Sequence, residues 1–242
     1  MPEIKRALRG DLMNNPDCES VNANWTVSVL NLLQPIRLGG VRMRFLAASR
    51  RSVALTCVVV LTVTATLCSA GVDVGEKAPD FALPDVHGTT HTLSQFRGKI
   101  VVLEWTNPTC PFVKRHYKAG TMKKLAEKYA AKDVVWLAID SSHFATADAD
   151  KAWQKEQNIS YPVLLDPSGS VGQAYGAKTT PHMFILDKQG SVAYTGAIDD
   201  DARGEKSEPR NYVDEALAAL VAGKQPEVTS TSPYGCSVKY KK

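Results

Sequence analysis

Val101-Val102-Leu103-Glu104-Trp105-Thr106-Asn107-Pro108-Thr109-Cys110-Pro111-Phe112-Val113-Lys114 is the stretch whose reading decides the fold. From Ile100 to Trp105 the residues are apolar and largely β-branched apart from one acid, the pattern of a central strand buried on both faces. Asn107-Pro108-Thr109 interrupts it, because Pro108 cannot join a strand ladder and holds Asn107 away from helical geometry. Pro111 stands where a first helical residue would, and its missing N–H costs nothing there. From Phe112 to Ala131 the composition favours helix, rich in Lys, Ala, Leu and Glu. Cys110 is thus expected at the helix N-cap, its sulfur facing free backbone N–H groups and the positive end of the helix dipole. That setting favours thiolate over thiol, and thiolate is the nucleophile. Lys114 and Arg115, one turn on, would push the same way if they point back. The plainer alternative is a small buried hydrophobe at a helix start.

Toward the N-terminus, Arg44, Arg50 and Arg51 precede the apolar run Val53 to Leu67, which ends in Cys68-Ser69-Ala70-Gly71. A basic segment, about fifteen apolar residues and a small-residue end have the form of a secretory signal. A spanning helix needs ~20 apolar residues, so a retained anchor is the competing reading. The expected division is an upstream extension over 1–42, a signal over 43–70 cut after Ala70, a domain over 71–225 and a tail over 226–242. Met43 is then the candidate start. The expected location is outside the cytoplasm, periplasmic or extracellular, with membrane contact only through an uncleaved signal.

The charge follows the same division. The whole chain carries 29 Lys and Arg against 25 Asp and Glu, but residues 71–242 hold 21 of each. A neutral domain without a basic stripe excludes nucleic acid as its expected partner. Of five cysteines, Cys18, Cys57 and Cys68 precede residue 71, leaving Cys110 and Cys236. Two cysteines in an exported domain of this size are too few for a disulfide scaffold. Either they pair or they do chemistry. Their spacing suits no zinc site, which wants clustered thiolates or imidazoles.

The remaining elements surround the central stretch. Gly75 to Asp85 has two prolines and alternating Phe81 and Leu83, the pattern of an edge strand or arm; with His91-Thr92-Leu93 it closes a hairpin. Val134 to Ile139 reads as a strand, Thr146 to Gln157 as an amphipathic helix, and Val163-Leu164-Leu165 as a short strand. Val171 to Tyr175 is a helical turn. His182 to Leu186 and Ser191 to Ala197 flank Asp187-Lys188-Gln189-Gly190 as a hairpin. Tyr212 to Ala222 is a last helix stopped by Gly223, and Gln225 to Pro233 an extended Pro/Thr/Ser-rich tail. The fold class is α/β, a central mixed sheet flanked by helices, with an N-terminal β-hairpin extension.

Several motifs then carry a resemblance. Ala78-Pro79-Asp80-Phe81-Ala82-Leu83-Pro84, Trp105 to Val113, Leu164-Leu165-Asp166-Pro167-Ser168-Gly169 and Thr179-Thr180-Pro181-His182-Met183-Phe184-Ile185-Leu186-Asp187 together resemble the redoxin group of thioredoxin-fold proteins. This is the alkyl hydroperoxide reductase and thiol-specific antioxidant family, and the resemblance covers about residues 74–223. The close at Tyr234-Gly235-Cys236-Ser237-Val238-Lys239 is similar to a peroxiredoxin-like subgroup. Two departures matter. Where thioredoxins carry Cys-x-x-Cys, this chain has Cys110-Pro111-Phe112-Val113, so no disulfide can close within the turn. Where peroxiredoxins carry Thr and Pro before their cysteine, this chain has Asn107 and Leu103.

The resemblance implies roles. Cys110 would be the redox nucleophile. Glu104, six residues earlier, matches a buried acid of thioredoxins, and a carboxyl late in an apolar strand should hold its proton and relay it. The alternative for Glu104 is a strand-end acid reaching solvent or pairing with Lys114. Thr180-Pro181 resembles the cis-proline loop, whose backbone can pair with an extended substrate. Cys236, 126 residues after Cys110, is a candidate resolving cysteine on a tail able to fold back; a static or interchain thiol is the alternative. His116 and His182 could approach Cys110. Asp199, Asp200, Asp201 and Glu205 could hold a hard cation, but no metal and no cofactor are expected. The reading is an exported thiol-dependent oxidoreductase with antioxidant, peroxiredoxin-like activity. Its alternatives are a thiol–disulfide oxidoreductase acting on protein disulfides and a non-catalytic binding module. The partners implied are a peroxide or protein disulfide and an external thiol reductant.

Overall fold

The computed structural model describes residues 71–241. The expected upstream extension over 1–42, the expected signal over 43–70 and Cys18, Cys57 and Cys68 lie outside the described residues. Among the described residues no helix is long and apolar enough to cross a membrane.

The centre is β3 (Ile100–Trp105), fully buried along its length as its uninterrupted apolar run requires. It pairs in parallel with β4 (Val134–Asp140), which pairs in parallel with β5 (Val163–Leu165). On its other side β3 meets β7 (His182–Leu186) in antiparallel register, and β7 carries β8 (Val192–Gly196). The five-stranded order is therefore β5-β4-β3-β7-β8, a mixed sheet. A separate hairpin of β1 (Ala82–Pro84) and β2 (Thr90–Thr92) precedes it, as expected. Phe81 and Leu83 are buried there.

Period-two alternation along β3 sorts its side chains between two cores. Ile100 and Val102 face a core with Val113, Tyr117, Met122, Leu125, Trp153, Val213 and Leu217. Those residues come from four helices: α1 (Pro111–Ala119), α2 (Thr121–Tyr129), α3 (Ala147–Glu156) and α5 (Tyr212–Val221). Val101, Leu103 and Trp105 face the other core, with Phe81, Leu93, Tyr175 of α4 (Ser170–Tyr175) and Val238 of the tail.

The helix expected from Phe112 to Ala131 is two helices. Gly120 adopts φ 72° between them, a left-handed conformation that glycine alone enters without penalty. Its N–H caps the carbonyls of His116 and Tyr117.

The tail is also not the loose extension the composition suggests. Thr231 N–H donates to the Thr195 carbonyl (3.1 Å), and Thr231 Oγ1 accepts from Ala197 N–H (2.9 Å). Further on, Val238 is buried and its N–H donates to Lys178 (3.1 Å), while the Tyr240 hydroxyl donates to the Ala177 carbonyl (2.8 Å). Between these anchors β9 (Cys236–Ser237) pairs antiparallel with β6 (Thr179–Thr180), placing Cys236 opposite Thr180. Hydrogen bonds at both ends and the buried Val238 hold it, where a Pro/Thr/Ser count shows neither.

Candidate active site

Cys110 is the N-cap of α1, with Pro111 as first helical residue. The turn before it is built by Asn107. Its side-chain oxygen accepts from Thr109 N–H and Oγ1, both at 2.7 Å, and its amide donates to Ser142 Oγ (2.7 Å). The Cys110 N–H closes the turn onto the Asn107 carbonyl (3.0 Å). Asn107 entered the sequence reading as part of the break before the cysteine and as a departure from a peroxidase pattern, with no side-chain role assigned. Here it fixes the loop that delivers the cysteine.

Cys110 is 2% exposed, and its Sγ lies 3.0 Å from the Thr180 carbonyl oxygen as a donor. The Thr180–Pro181 peptide is cis, as the motif implies. Burial alone would raise the Cys110 thiol pKa. The Thr180 side chain, the Val113 backbone, and both the side chain and backbone of Cys236 outweigh that and together lower it. Cys236 moves the other way, raised by burial and by the neighbouring Cys110 sulfur. Both cysteines are free thiols. The chain therefore brings two thiols of unequal acidity into contact across the cis-proline loop, one held toward thiolate and the other toward thiol.

Cationic side chains do not take part in the way the sequence allows. Arg115 turns away, donating to the carbonyls of Asp201 (2.8 Å) and Ala202 (2.9 Å). The acidity of Cys110 comes from hydrogen bonds and not from Lys114 or Arg115.

Glu104 completes the region from below. It lies on the Ile100 and Val102 face of β3 by the same alternation, and it is 0% exposed. Its pairing with Lys114 or solvent is thus excluded. One carboxyl oxygen accepts from the Tyr117 hydroxyl (2.9 Å), the other from Trp136 Nε1 (2.9 Å), with the Tyr161 hydroxyl at 3.5 Å. Burial pushes its pKa up to about 7, against those hydrogen bonds. The sequence reading missed Tyr117, although Cys110, Val113 and Tyr117 follow i, i+3, i+7 spacing that puts them on one helix face. Trp136 and Tyr161 gave no such local signal.

Neither histidine donates to the sulfur. His116 bonds the Tyr234 hydroxyl (3.0 Å), and the ring nitrogens of His182 meet Lys178 N–H and Thr195 Oγ1, each at 3.2 Å. Burial lowers both histidines, His182 to about 4, so His182 is neutral near pH 7. Three of the four acids considered for a cation are engaged elsewhere. Asp199 accepts from the Tyr234 hydroxyl, Asp200 pairs with Lys206 (2.7 Å), and Asp201 accepts backbone N–H groups of Gly204, Glu205 and Lys206.

Tyr234 and Gly235 entered the sequence reading only within the closing motif Tyr234 to Lys239, with no role assigned. Tyr234 packs against Phe112 and His116, with ring centroids 6.1 Å apart in each case, and the Arg115 guanidinium lies over it. Gly235 has φ 143°, and a Cβ there would overlap the Thr180 carbonyl oxygen. A glycine beside a cysteine in that motif was the signal for a close backbone approach.

The Redoxin family profile matches residues 73–213. Thiol-disulfide oxidoreductase ResA of Bacillus thuringiensis is 31% identical over 120 residues, 50% of this chain and 67% of that protein. Among solved structures, a hypothetical protein of Sinorhizobium meliloti is 31% identical with a TM-score of 0.64, covering 71% of this chain and 96% of the other. An uncharacterized conserved protein of Geobacillus kaustophilus is 29% identical with a TM-score of 0.63, covering 70% and 93%. The tail with Cys236 lies beyond the family match. Matched over more than half its length, with the central strand, capped helix and cysteine in place, the chain belongs to the Redoxin family, an oxidoreductase of thioredoxin-like fold.

Proposed function

We infer that this protein is a thiol–disulfide oxidoreductase whose redox pair is Cys110 and Cys236. The observation that carries the reading is the β6–β9 pairing, which seats Cys236 opposite Thr180 while Cys110 donates to the Thr180 carbonyl. The relatives named thiol-disulfide oxidoreductase favour disulfide exchange over the peroxide chemistry expected first. With Val113 in place of a second helix cysteine, the tail supplies the second sulfur.

In this reading the reduced pair transfers two electrons to a disulfide and closes a Cys110–Cys236 bond; an external dithiol reopens it. Cys110 is the sulfur held as thiolate. Glu104, buried and near pKa 7, stores the proton that the exchange takes up or releases. The basic and apolar pattern over 43–70 supports export to an oxidising compartment, where such a pair has work.

The test oxidises the reduced full chain with either a protein disulfide or one equivalent of hydrogen peroxide and maps the cysteines by mass spectrometry. A Cys110–Cys236 disulfide formed faster with the protein disulfide supports the reading. Faster formation with peroxide returns it to the antioxidant branch. Two thiols that stay free under both treatments overturn it.

A further inference from the structure

The two sulfurs are not equally reachable. Cys110 is 2% exposed beneath the tail, and Thr180 beside it is also 2% exposed. Cys236 is partly exposed. The edge of β6, where an extended substrate would pair with Thr180, is already taken by β9. Gly235 lies so close to the Thr180 carbonyl that no side chain fits between them. The tail does not swing aside as a free end, because it is anchored through Thr231 on one side and Val238 and Tyr240 on the other. Tyr234 adds a further clamp on Asp199 and His116.

We propose that Cys236, not the helix cysteine Cys110, is the sulfur that exchanges with external partners, and that the tail strand makes it so by covering Cys110 and filling the cis-proline edge. This rests on the Cys110–Cys236 pair of the preceding section. In the oxidised protein an external thiolate attacks Cys236 Sγ, forming a new S–S bond there. The Cys110–Cys236 bond breaks, and its electron pair leaves on Cys110 as thiolate. A second thiol of the external dithiol then attacks the partner's own sulfur in the mixed disulfide and releases Cys236, which takes a proton. The dithiol has lost two electrons and the protein has gained them. In the reverse direction the Cys110 thiolate takes the proton of Cys236, and the resulting Cys236 thiolate attacks one sulfur of the substrate disulfide and expels the other as a thiolate, which recovers that proton from Cys110. The Cys110 thiolate then attacks Cys236 Sγ, closing the Cys110–Cys236 bond and expelling the bound substrate sulfur as a thiolate.

The acidities fit that order. Disulfide cleavage is faster when the departing sulfur is the more acidic one, and the hydrogen bonds of Cys110 make it the better leaving group. The small, two-residue pairing of β9 also limits the partner. A long extended peptide has no free edge to join, so the class of substrate is a low-molecular-weight disulfide or a protein disulfide on a projecting loop.

The experiment oxidises the full chain with diamide, adds excess glutathione, and quenches with acid over a short time course. Free thiols are then alkylated with N-ethylmaleimide and the adducts located by peptide mapping, which separates Cys18, Cys57 and Cys68. Extrapolated to zero time, glutathione should be found on Cys236 and maleimide on Cys110, in excess over the reverse by about tenfold or more. Glutathione equally or mainly on Cys110 overturns the proposal and leaves the redox pair intact. Failure of diamide to join Cys110 to Cys236 overturns the pair and the proposal together. On the reduced chain, a bulky maleimide should label Cys236 before Cys110, and the opposite order also overturns it.

Discussion

Cys110 and Cys236 both meet Thr180, but through different kinds of structure. Cys110 sits between a six-residue strand buried at every position and a nine-residue helix, on a loop cross-tied by Asn107 and Ser142. Cys236 lies in a two-residue strand whose position depends on anchors several residues away on either side. One sulfur is fixed by the core, the other by a clasp. The consequence is an asymmetric arrangement, with a covered and more acidic thiol beside a partly exposed and less acidic one. A redox pair placed within one helical turn is set by that turn alone, whereas the proposed pair also depends on how firmly the tail is seated.

The strongest way to break the comparison is to remove each sulfur in turn. Cys110→Ser and Cys236→Ser should each reduce dithiol-driven disulfide turnover by more than about a thousandfold, since neither leaves a closable pair. A Cys236→Ala variant, which removes the side-chain donor, should keep the Cys110 thiolate with a raised pKa, read by ultraviolet absorbance of the thiolate. An unshifted Cys110 titration in Cys236→Ala would show that the sulfurs do not interact.

Glu104 belongs to the core side alone. Its folded pKa of about 7 lies above the ordinary 4.5, so the folded chain keeps a proton that the unfolded chain loses. That contribution is fully present below about pH 4.5 and declines as pH rises to about 7, then levels. Glu104→Gln removes it. The variant's unfolding free energy relative to wild type should rise by roughly 3 kcal/mol between pH 4 and pH 8, measured by denaturant titration. A flat difference would mean that Glu104 ionises normally. Asp140 and Asp150, raised by burial to about 6 and about 7, slope in the same direction and cancel in the comparison.

Gly235→Ala attacks the clasp. The added Cβ overlaps the Thr180 carbonyl in a backbone conformation that L-residues avoid, at a cost of about 2 kcal/mol. Closure of the disulfide should slow while the Glu104-dependent pH profile stays unchanged. Tyr234→Phe is the mildest test. It removes the hydrogen bonds to Asp199 and His116 and should cost about 1 kcal/mol in thermal unfolding. Faster alkylation of Cys110 in this variant would confirm that the tail covers it.

Much of the core side was legible because its signals are local. The apolar run of β3, the Asn107-Pro108 break and Pro111 together give strand, turn and helix start. Period-two alternation places Glu104 on the face of Ile100 and Val102, and helical spacing, unused in the sequence reading, puts Tyr117 on the same face of the helix as Val113. Gly120 carried its own local signal, yet helix-favouring residues on both sides masked the break. The clasp side gave little. Tyr234, Gly235 and Cys236 have no periodicity, and their partners Asp199, Thr180 and Cys110 lie 35, 55 and 126 residues away in sequence.

The sequence by itself determined that Cys110 caps a helix behind a buried strand, and that no second cysteine lies within reach along that helix. Spacing and propensity act over a few residues, and those facts need nothing more. Only the tertiary structure decided that Cys236 lies against Cys110 and that the tail closes over the more acidic sulfur. Strand pairing and burial between distant segments depend on which surfaces remain free once the sheet has formed, and no local pattern records that choice.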